Sequence, residues 1–527
     1  MFMTDTELMM IEQLTYRNIT SGDKGKCLRD ILNGCSESSP EIRYLKEKCN
    51  DPNSEFYNLV LSDTAVDEHN QTVALCFSNP EKPDEAIIAF RGTTDPSQDG
   101  GTEWADNFEG LNSYDTEKQQ EALDFVERQP YNNITVTGHS KGGNKAMYVT
   151  IKSDKVTKCV SMDGQGFSKE FAEKYEGEID QNAHKITNYS VDEDPVNALL
   201  FQLPGSNQVY CDGRNGGSVV AIHGSANFFV LDENGDIKVD ENGYPIIVAP
   251  VERSDSSKMI HEFTIFVCNV ASDEDKEKIV DFLAKLLTTD DKVQYFVDNI
   301  DSLPLILAYL AKYMDTYDIS SEEVRNLINT LFGNIVIKGV DITDLIVQLV
   351  DGLKDNLTDG SQDPLIKALL YQIDGILRLI GYDCDLTSRW KEAEKKVKDI
   401  GPVDPEEGLQ ELQIREGKVR DFSVSKYNAI INVIDKIQSG SFDGLSAWDT
   451  YADEDWYASL LIGPLKRAIN SYYDSLYQTN STCKERVEKV FSDVENIDSI
   501  AKIKNFANIA QRNLVVSNLH RHATSIG

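Results

Sequence analysis

The chain has 527 residues, of which 40% are hydrophobic, and a formal net charge of −36 with a pI near 4.5. This length exceeds what one hydrophobic core supports, so two or three domains are expected. The acidic balance argues against a nucleic-acid partner and against electrostatic adsorption to anionic membranes. The nine cysteines stand singly, which predicts reduced thiols rather than a disulfide framework or a zinc site.

The first residues include the acidic Asp5 and Glu7, whereas a secretory signal peptide begins with basic residues, and no long apolar segment follows. The best apolar run, 303–310, is far too short to span a membrane. The sequence therefore predicts a protein without a transmembrane segment that is cytoplasmic, or is exported without an N-terminal signal peptide.

The first half of the chain alternates strand-like and helix-like segments. After a helical lead-in of about 60 residues, strands are expected at 72–78, 85–91, 134–137, 158–162 and 185–191, with helices at 116–128 and 141–152. Two hairpin strands, 218–231 and 237–248, are expected around Asn-Gly turns. This alternation predicts an α/β fold, with a mainly parallel sheet that carries helices on both faces.

From about residue 272 the pattern becomes helical. Apolar residues recur at helical spacing in the segments 279–287, 303–313, 321–332, 341–357 and 364–380. A linker is expected at 401–406, which divides the chain into an α/β domain at 1–270, a helical cap or second domain at 271–400, and a helical C-terminal domain at 401–527. An apolar seam from Val487 to Ile509 favours packing on another helix, either of this chain or of a protein partner.

The segment Gly138-His139-Ser140-Lys141-Gly142 lies between a β-branched run and a helix-like segment. Gly-x-Ser-x-Gly in this context is the signature of a nucleophile elbow. The turn that holds the serine is so sharp that side chains two positions away on either side would collide, which explains the two glycines. The turn lifts the Ser140 hydroxyl clear of the sheet and points a helix N-terminus at it, where developing negative charge is stabilised.

Phe90-Arg91-Gly92-Thr93, Trp104 and the segment 138–144 (GHSKGGN) together resemble the class 3, or fungal-type, lipase family. They resemble more closely a bacterial lipase-like family whose elbow reads GHSKGGN, and the resemblance covers roughly the first half of the chain. The acidic residue that usually follows the tryptophan by three positions is Asn107 here, with Asp106 beside it. The resemblance implies an α/β-hydrolase fold and a serine ester hydrolase that cleaves carboxylic esters of lipids through an acyl-enzyme.

Ser140 needs a base, and the base needs an acid to orient it. In this fold the acid and then the histidine follow the serine along the chain. Position in the chain sets aside five of the seven histidines: His69, His139, His184, His520 and His522. His261 is preferred to His223 because it follows a polar loop, whereas a histidine within an expected strand is more often a packed core residue. The lipase-like family also has its histidine after this hairpin region.

Asp194 is the preferred acid, because Asp194-Pro195-Val196 resembles the acidic-Pro-Val step of class 3 lipases. Asp192 is the near alternative, and Asp163, at the end of the preceding strand, is a third that could instead hydrogen-bond backbone in a turn.

The oxyanion hole needs two backbone N–H donors. Lys141, directly after the nucleophile, supplies one, and by resemblance Thr93 supplies the other. Nothing in the sequence suggests a metal or an organic cofactor.

Two other functions stay open. The first is a secreted lipase effector or toxin whose helical tail binds partner proteins, since a lipase head before a helical tail resembles the reverse-ordered substrates of type VII secretion. The second is a non-catalytic binding protein on the same fold. Reaction of Ser140 with a fluorophosphonate probe would separate an enzyme from a binding protein.

Overall fold

The computed structural model describes residues 3–35, 39–67, 71–92, 115–194, 196–214, 222–288, 292–332, 335–337, 339–354, 364–382 and 385–412. Within these residues, seven strands form one sheet in the order of the chain. They are β1 (Val60–Val66), β2 (Thr72–Asn79), β3 (Lys82–Phe90), β4 (Asn133–His139), β5 (Val156–Met162), β6 (Ile186–Val191) and β7 (Asn207–Cys211). The pairings β1–β2 and β2–β3 are antiparallel, and all pairings from β3 to β7 are parallel.

Helices cover both faces of this sheet. Because the parallel strands are neighbours in chain order, right-handed crossovers place their connecting helices on one face. These helices are α4 (Glu117–Glu127), α5 (Lys141–Lys152), α6 (Lys169–Lys174) and α7 (Glu176–Asn182). The other face packs against α1 (Asp5–Glu12), α2 (Leu28–Asn33) and α3 (Pro40–Lys48).

The strands are apolar on both sides because both faces are covered. In β3, Ile87 and Ala89 join the core beneath the N-terminal helices, whereas Ile88 and Phe90 join the core beneath α4 and α5. The predicted mainly parallel sheet with helices on both faces is therefore confirmed. The antiparallel edge strand β1 and the last strand β7 were not predicted.

The segment that follows β7 differs from its prediction. In place of the hairpin strands 218–231 and 237–248, its described part contains turns and three isolated bridges: Phe229–Ile247, Leu231–Ile237 and Val239–Pro245. The Asn-Gly turns are present, and Gly235 and Gly243 each have a φ of 79°. Asp232 and Asp240 accept backbone N–H bonds from within their own turns, so these carboxylates stabilise compact turns instead of a continuous ladder.

A helical region follows the sheet and has a core of its own. Its helices are α8 (Asp255–Val270), α9 (Asp273–Thr288), α10 (Lys292–Asp298), α11 (Leu303–Tyr317), α12 (Ser321–Phe332), α13 (Ile342–Lys354), α14 (Pro364–Leu379), α15 (Leu386–Asp399) and α16 (Pro405–Gly408). A two-stranded ladder, β8 (Val336–Ile337) with β9 (Val340–Asp341), precedes α13. The predicted helical character of this region is confirmed.

Two contacts join this helical region to its neighbours in the chain. Ala198, Leu199 and Leu200, from the loop after β6, are buried in the helical core. The segment 401–412, which contains the expected linker, packs along α8 and α11: the Tyr317 hydroxyl donates to the Pro405 carbonyl (2.9 Å) and the Asn269 amide donates to the Gln410 carbonyl (3.1 Å). The domain boundaries remain predictions, and the seam from Val487 to Ile509 lies outside the described residues. No helix of the described residues is both long enough and apolar enough to cross a bilayer.

Candidate active site

Ser140 joins the end of β4 to the start of α5 with φ 56° and ψ −123°, a conformation that costs strain for a residue with a Cβ. A Cβ on Gly138 would lie 2.2 Å from the Gly142 carbonyl oxygen, and a Cβ on Gly142 would lie 2.3 Å from the Phe90 carbonyl oxygen. Both positions therefore exclude a side chain, as the Gly-x-Ser-x-Gly spacing predicted. The Ser140 side chain is half-buried, which leaves part of it accessible.

The backbone N–H of Lys141 lies at the N-terminus of α5, directly after Ser140, where the sequence places an oxyanion donor. The second expected donor, Thr93, lies outside the described residues, as do Trp104, Asp106 and Asn107.

Asp194 and His223 form a pair beside this turn. Asp194 follows β6 and is fully buried; its Oδ2 lies 2.7 Å from His223 Nδ1 and its Oδ1 accepts the Val196 N–H at 3.0 Å. Because Nδ1 faces a carboxylate, we assign the proton to Nδ1, which leaves Nε2 as a proton acceptor. The ring of His139, the residue before Ser140, lies 4.7 Å from the His223 ring between centroids. The His223–Asp194 pair therefore lies beside the Ser140 turn.

His261 lies elsewhere. It belongs to α8, where its Nδ1 faces the Ala198 carbonyl oxygen at 3.1 Å and its Nε2 faces Glu411 Oε1 at 2.8 Å. Both ring nitrogens thus contact acceptors, and the polar residues before His261, which were expected to form a loop, cap and begin this helix. The alternative acid Asp192 accepts the backbone N–H of Ser254, which caps the same helix (2.7 Å).

Of the residues singled out on sequence, the structure places Asp194 and His223 together near the Ser140 turn, and it places His261 against Glu411. The sequence-based preference between the two histidines rested on a strand at 218–231, and the described residues from 222 onward do not form that strand. Gly224 and Ser225, directly after His223, are turn residues and are the signal that could have identified a loop histidine there.

A second carboxyl group lies at the same edge of the sheet. Asp163 follows β5 with a φ of 46° and is fully buried. Its Oδ1 accepts the Val191 N–H at 2.8 Å and the Asn197 amide at 3.2 Å, as the backbone-bonding alternative anticipated. Burial, reinforced by the neighbouring Asp194 carboxyl, raises the pKa of Asp163 well above its usual range.

His139 faces this carboxyl. Its Nε2 lies 3.9 Å from Asp163 Oδ2, and its Nδ1 lies 3.2 Å from the Tyr16 hydroxyl. Burial, and then the positive charge that His223 can carry, lower the pKa of His139 well below its usual range. Burial thus disfavours the charged forms of both His139 and Asp163.

Within the described residues, His139, Asp163 and His223 present ligand atoms that all lie within 4.8 Å of one another. Two histidines and one carboxylate are a donor set that suits a zinc-like ion. A cation there would compete with Asp194 for His223.

Three comparisons with known proteins bear on this chain. A family model described as Mbeg1-like matches residues 54–283, a segment that contains Ser140, Asp163, Asp194, His223 and His261. Among solved structures, the chain is similar to one described as the crystal structure of M37 lipase, with 15% sequence identity, a TM-score of 0.25, and coverage of 38% of this chain and 71% of that chain. A search of curated proteins found no match.

Proposed function

We propose that this protein is a serine hydrolase of lipase type that cleaves carboxylic esters, with Ser140 as nucleophile, His223 as base and Asp194 as the acid that orients the base. The observation that carries the proposal is the buried Asp194 carboxylate 2.7 Å from His223, beside the strained Ser140 turn. A serine on such a turn becomes a nucleophile when an oriented histidine can take its proton. The proposal therefore replaces His261, the base preferred on sequence, with His223.

The reaction follows from these positions. Ser140 Oγ attacks the ester carbonyl while His223 Nε2 accepts its proton, and Asp194 stabilises the imidazolium that forms. The negative charge on the tetrahedral intermediate develops at the N-terminus of α5, where the Lys141 N–H can donate to it. By resemblance Thr93 is the second donor. His223 then protonates the leaving alcohol, and in a second half-reaction it activates the water that hydrolyses the acyl-enzyme.

The test is labelling of the purified full-length chain with a fluorophosphonate probe, together with hydrolysis of p-nitrophenyl esters of increasing acyl length. We expect both reactions in the wild type and neither in Ser140→Ala, which removes one oxygen from a turn and should keep the fold. Labelling that persists in Ser140→Ala would refute the assigned nucleophile. Absence of both reactions in the folded wild type would favour the non-catalytic binding protein.

The acyl series also tests the lipid substrate that the resemblance implies, since a lipase prefers longer chains than a general esterase. The effector alternative concerns the expected helical C-terminal domain at 401–527, of which the structure describes only residues 401–412, and it stays a prediction.

A further inference from the structure

Two buried polar atoms face each other beside the Ser140 turn. They are Nε2 of His139, at the end of β4, and Oδ2 of Asp163, directly after the neighbouring parallel strand β5. The two atoms are 3.9 Å apart, which is too far for a hydrogen bond, and neither has a hydrogen-bond partner among the described residues. Because buried polar atoms are nearly always satisfied, this arrangement points to a ligand that both atoms share.

The other polar atom of each side chain already has a partner. His139 Nδ1 lies 3.2 Å from the Tyr16 hydroxyl. Asp163 Oδ1 accepts two N–H bonds, of 2.8 Å and 3.2 Å. Side chains that bind a metal are typically fixed in this way, with a hydrogen bond on the atom that does not bind the ion. The two unpartnered atoms therefore have the orientation that a shared cation needs.

His223 supplies a third ligand. Ligand atoms of His139, Asp163 and His223 all lie within 4.8 Å of one another. A zinc ion with bonds of about 2.0–2.2 Å holds tetrahedral ligands about 3.4 Å apart, so a separation of 4.8 Å has to close by about 1.4 Å. The His223 side chain is 20% exposed, whereas the other two are buried and held by hydrogen bonds. His223 is therefore the ligand that moves.

The donor set selects the kind of ion. Two imidazole nitrogens and one carboxylate oxygen favour zinc and similar transition-metal ions, whereas Mg²⁺ and Ca²⁺ prefer oxygen ligands throughout. Three protein ligands also leave one position of a tetrahedral ion open to water. The ligands come from three separate segments of the chain, so no short ligand spacing marks the site in the sequence.

We propose that His139, Asp163 and His223 form an inhibitory site for Zn²⁺ or a chemically similar divalent transition-metal ion. The effect on activity rests on the proposed function, because His223 is the proposed base. Nε2 of this ring is the atom that accepts the Ser140 proton, and Nδ1 faces Asp194 at 2.7 Å, so a cation on either nitrogen prevents the base from acting. The zinc-bound protein is therefore inactive toward esters, and removal of zinc restores activity.

The first test measures zinc binding directly. The untagged full-length chain, freed of metal, is titrated with Zn²⁺ in competition with a chromophoric chelator, and we expect one tight site per chain. Asp163→Asn replaces the anionic oxygen by an amide of the same shape. It should weaken this site by at least about 100-fold, since even the loss of a second-shell partner costs about 10- to 100-fold. His261→Ala is the matched control, because it removes a buried histidine outside the group, and it should keep the wild-type affinity.

The second test measures inhibition of p-nitrophenyl butyrate hydrolysis, with each variant compared with its own rate without zinc. Zn²⁺ should inhibit the wild type and His261→Ala, and EDTA should restore both. Mg²⁺ or Ca²⁺ at the same concentration should not inhibit. In Asp163→Asn the zinc concentration that gives half inhibition should rise in parallel with the loss of affinity. Should Asp163→Asn fail to fold, His139→Ala provides the same comparison, because it removes the ligand on β4.

The site is refuted if the wild type binds no zinc, or if Asp163→Asn and His139→Ala bind it as tightly as the wild type, since the ion would then lie elsewhere. The inhibitory role is refuted if zinc binds at these residues and leaves the rate unchanged. Fluorophosphonate labelling of the metal-free wild type separates these results from failure of the proposed function. A labelled protein without a zinc site refutes this proposal alone. An unlabelled protein whose zinc binding depends on Asp163 refutes the hydrolase and supports the site.

Discussion

Replacement of His223 and of His261 by alanine should affect different properties of the protein. His223 is the proposed base, so His223→Ala should lower kcat by about 10⁴- to 10⁶-fold, as expected when one member of a unit that acts together is removed. His261 contacts the Ala198 carbonyl and Glu411 and no reacting group. His261→Ala should therefore keep kcat within about tenfold of the wild type, since a small shift of the loop that carries Asp194 is its sole route to the reaction.

The stability cost of His261→Ala follows from the two bonds lost. The Ala198 carbonyl is left with the Thr264 hydroxyl at 3.4 Å, a weak replacement, and an unsatisfied buried acceptor costs about 1–3 kcal/mol. Glu411 is 48% exposed and can be hydrated, so loss of its contact with His261 adds little. At about 2–4 °C per kcal/mol for a unit of this size, Tm should fall by about 2–12 °C.

The assay is hydrolysis of p-nitrophenyl butyrate, with thermal unfolding followed by circular dichroism on the same preparations. We expect His223→Ala to be folded and inactive, and His261→Ala to be active but less stable. The opposite activities, with His261→Ala folded and inactive and His223→Ala active, would refute our choice of base and restore the preference drawn from the sequence.

Three further predictions concern the elbow, a buried acid and the chain beyond α15. Gly142→Ala places a Cβ 2.3 Å from a carbonyl oxygen and should lower kcat by about 10²-fold or more. Gly177→Ala is the control, because a Cβ at this position has no atom within 4 Å. It should keep kcat and stabilise the protein by about 0.5–1 kcal/mol. Burial raises the pKa of Glu12 from 4.5 to about 8, so between these pH values the folded protein keeps a proton that the unfolded chain has lost. The free energy of unfolding should therefore fall as the pH rises from 4.5 to about 8. Urea unfolding should show a smaller fall in Glu12→Gln than in the wild type. A chain ending after residue 412 should unfold at a higher temperature than one ending after residue 400, because 401–412 packs on α8 and α11.

The turn at Ser140 could be predicted from the sequence because much of its cause is local. A Cβ on Gly138 would meet Gly142 of the same turn, and the strand–helix alternation is visible in the sequence, although the requirement at Gly142 comes from Phe90 of the neighbouring strand β3. The helices after residue 272 could also be predicted, since apolar residues at helical spacing indicate a helix with one buried face. Asp194 was selected by resemblance, and the structure places it beside a histidine.

The base could not be predicted in the same way, because it depends on contacts across the chain. His223 is 29 residues from Asp194, and strand β7 (Asn207–Cys211) lies between them in the chain. His261 was attractive because polar residues precede it, yet those residues begin a helix: Ser254 is its N-cap and accepts the Ser257 N–H. A polar stretch before an apolar run is consistent with both readings, and tertiary packing decides between them. The edge strand β1 was missed because its alternation is weak, and only two of its seven residues are buried.

The loop after β6 contacts two regions of the protein: the Asp194 carboxylate contacts His223 at the edge of the sheet, and the apolar side chains of the loop pack in the helical region. Asp194 faces His223, while Ala198, Leu199 and Leu200 are packed in the helical core, where His261 also contacts the Ala198 carbonyl. Hydrogen exchange of the backbone amides in this loop should therefore report the free energy of opening of the helical region, rather than that of the sheet. By thermodynamic linkage, any molecule that binds the helical region and changes its opening equilibrium would also change how often Asp194 is held against His223.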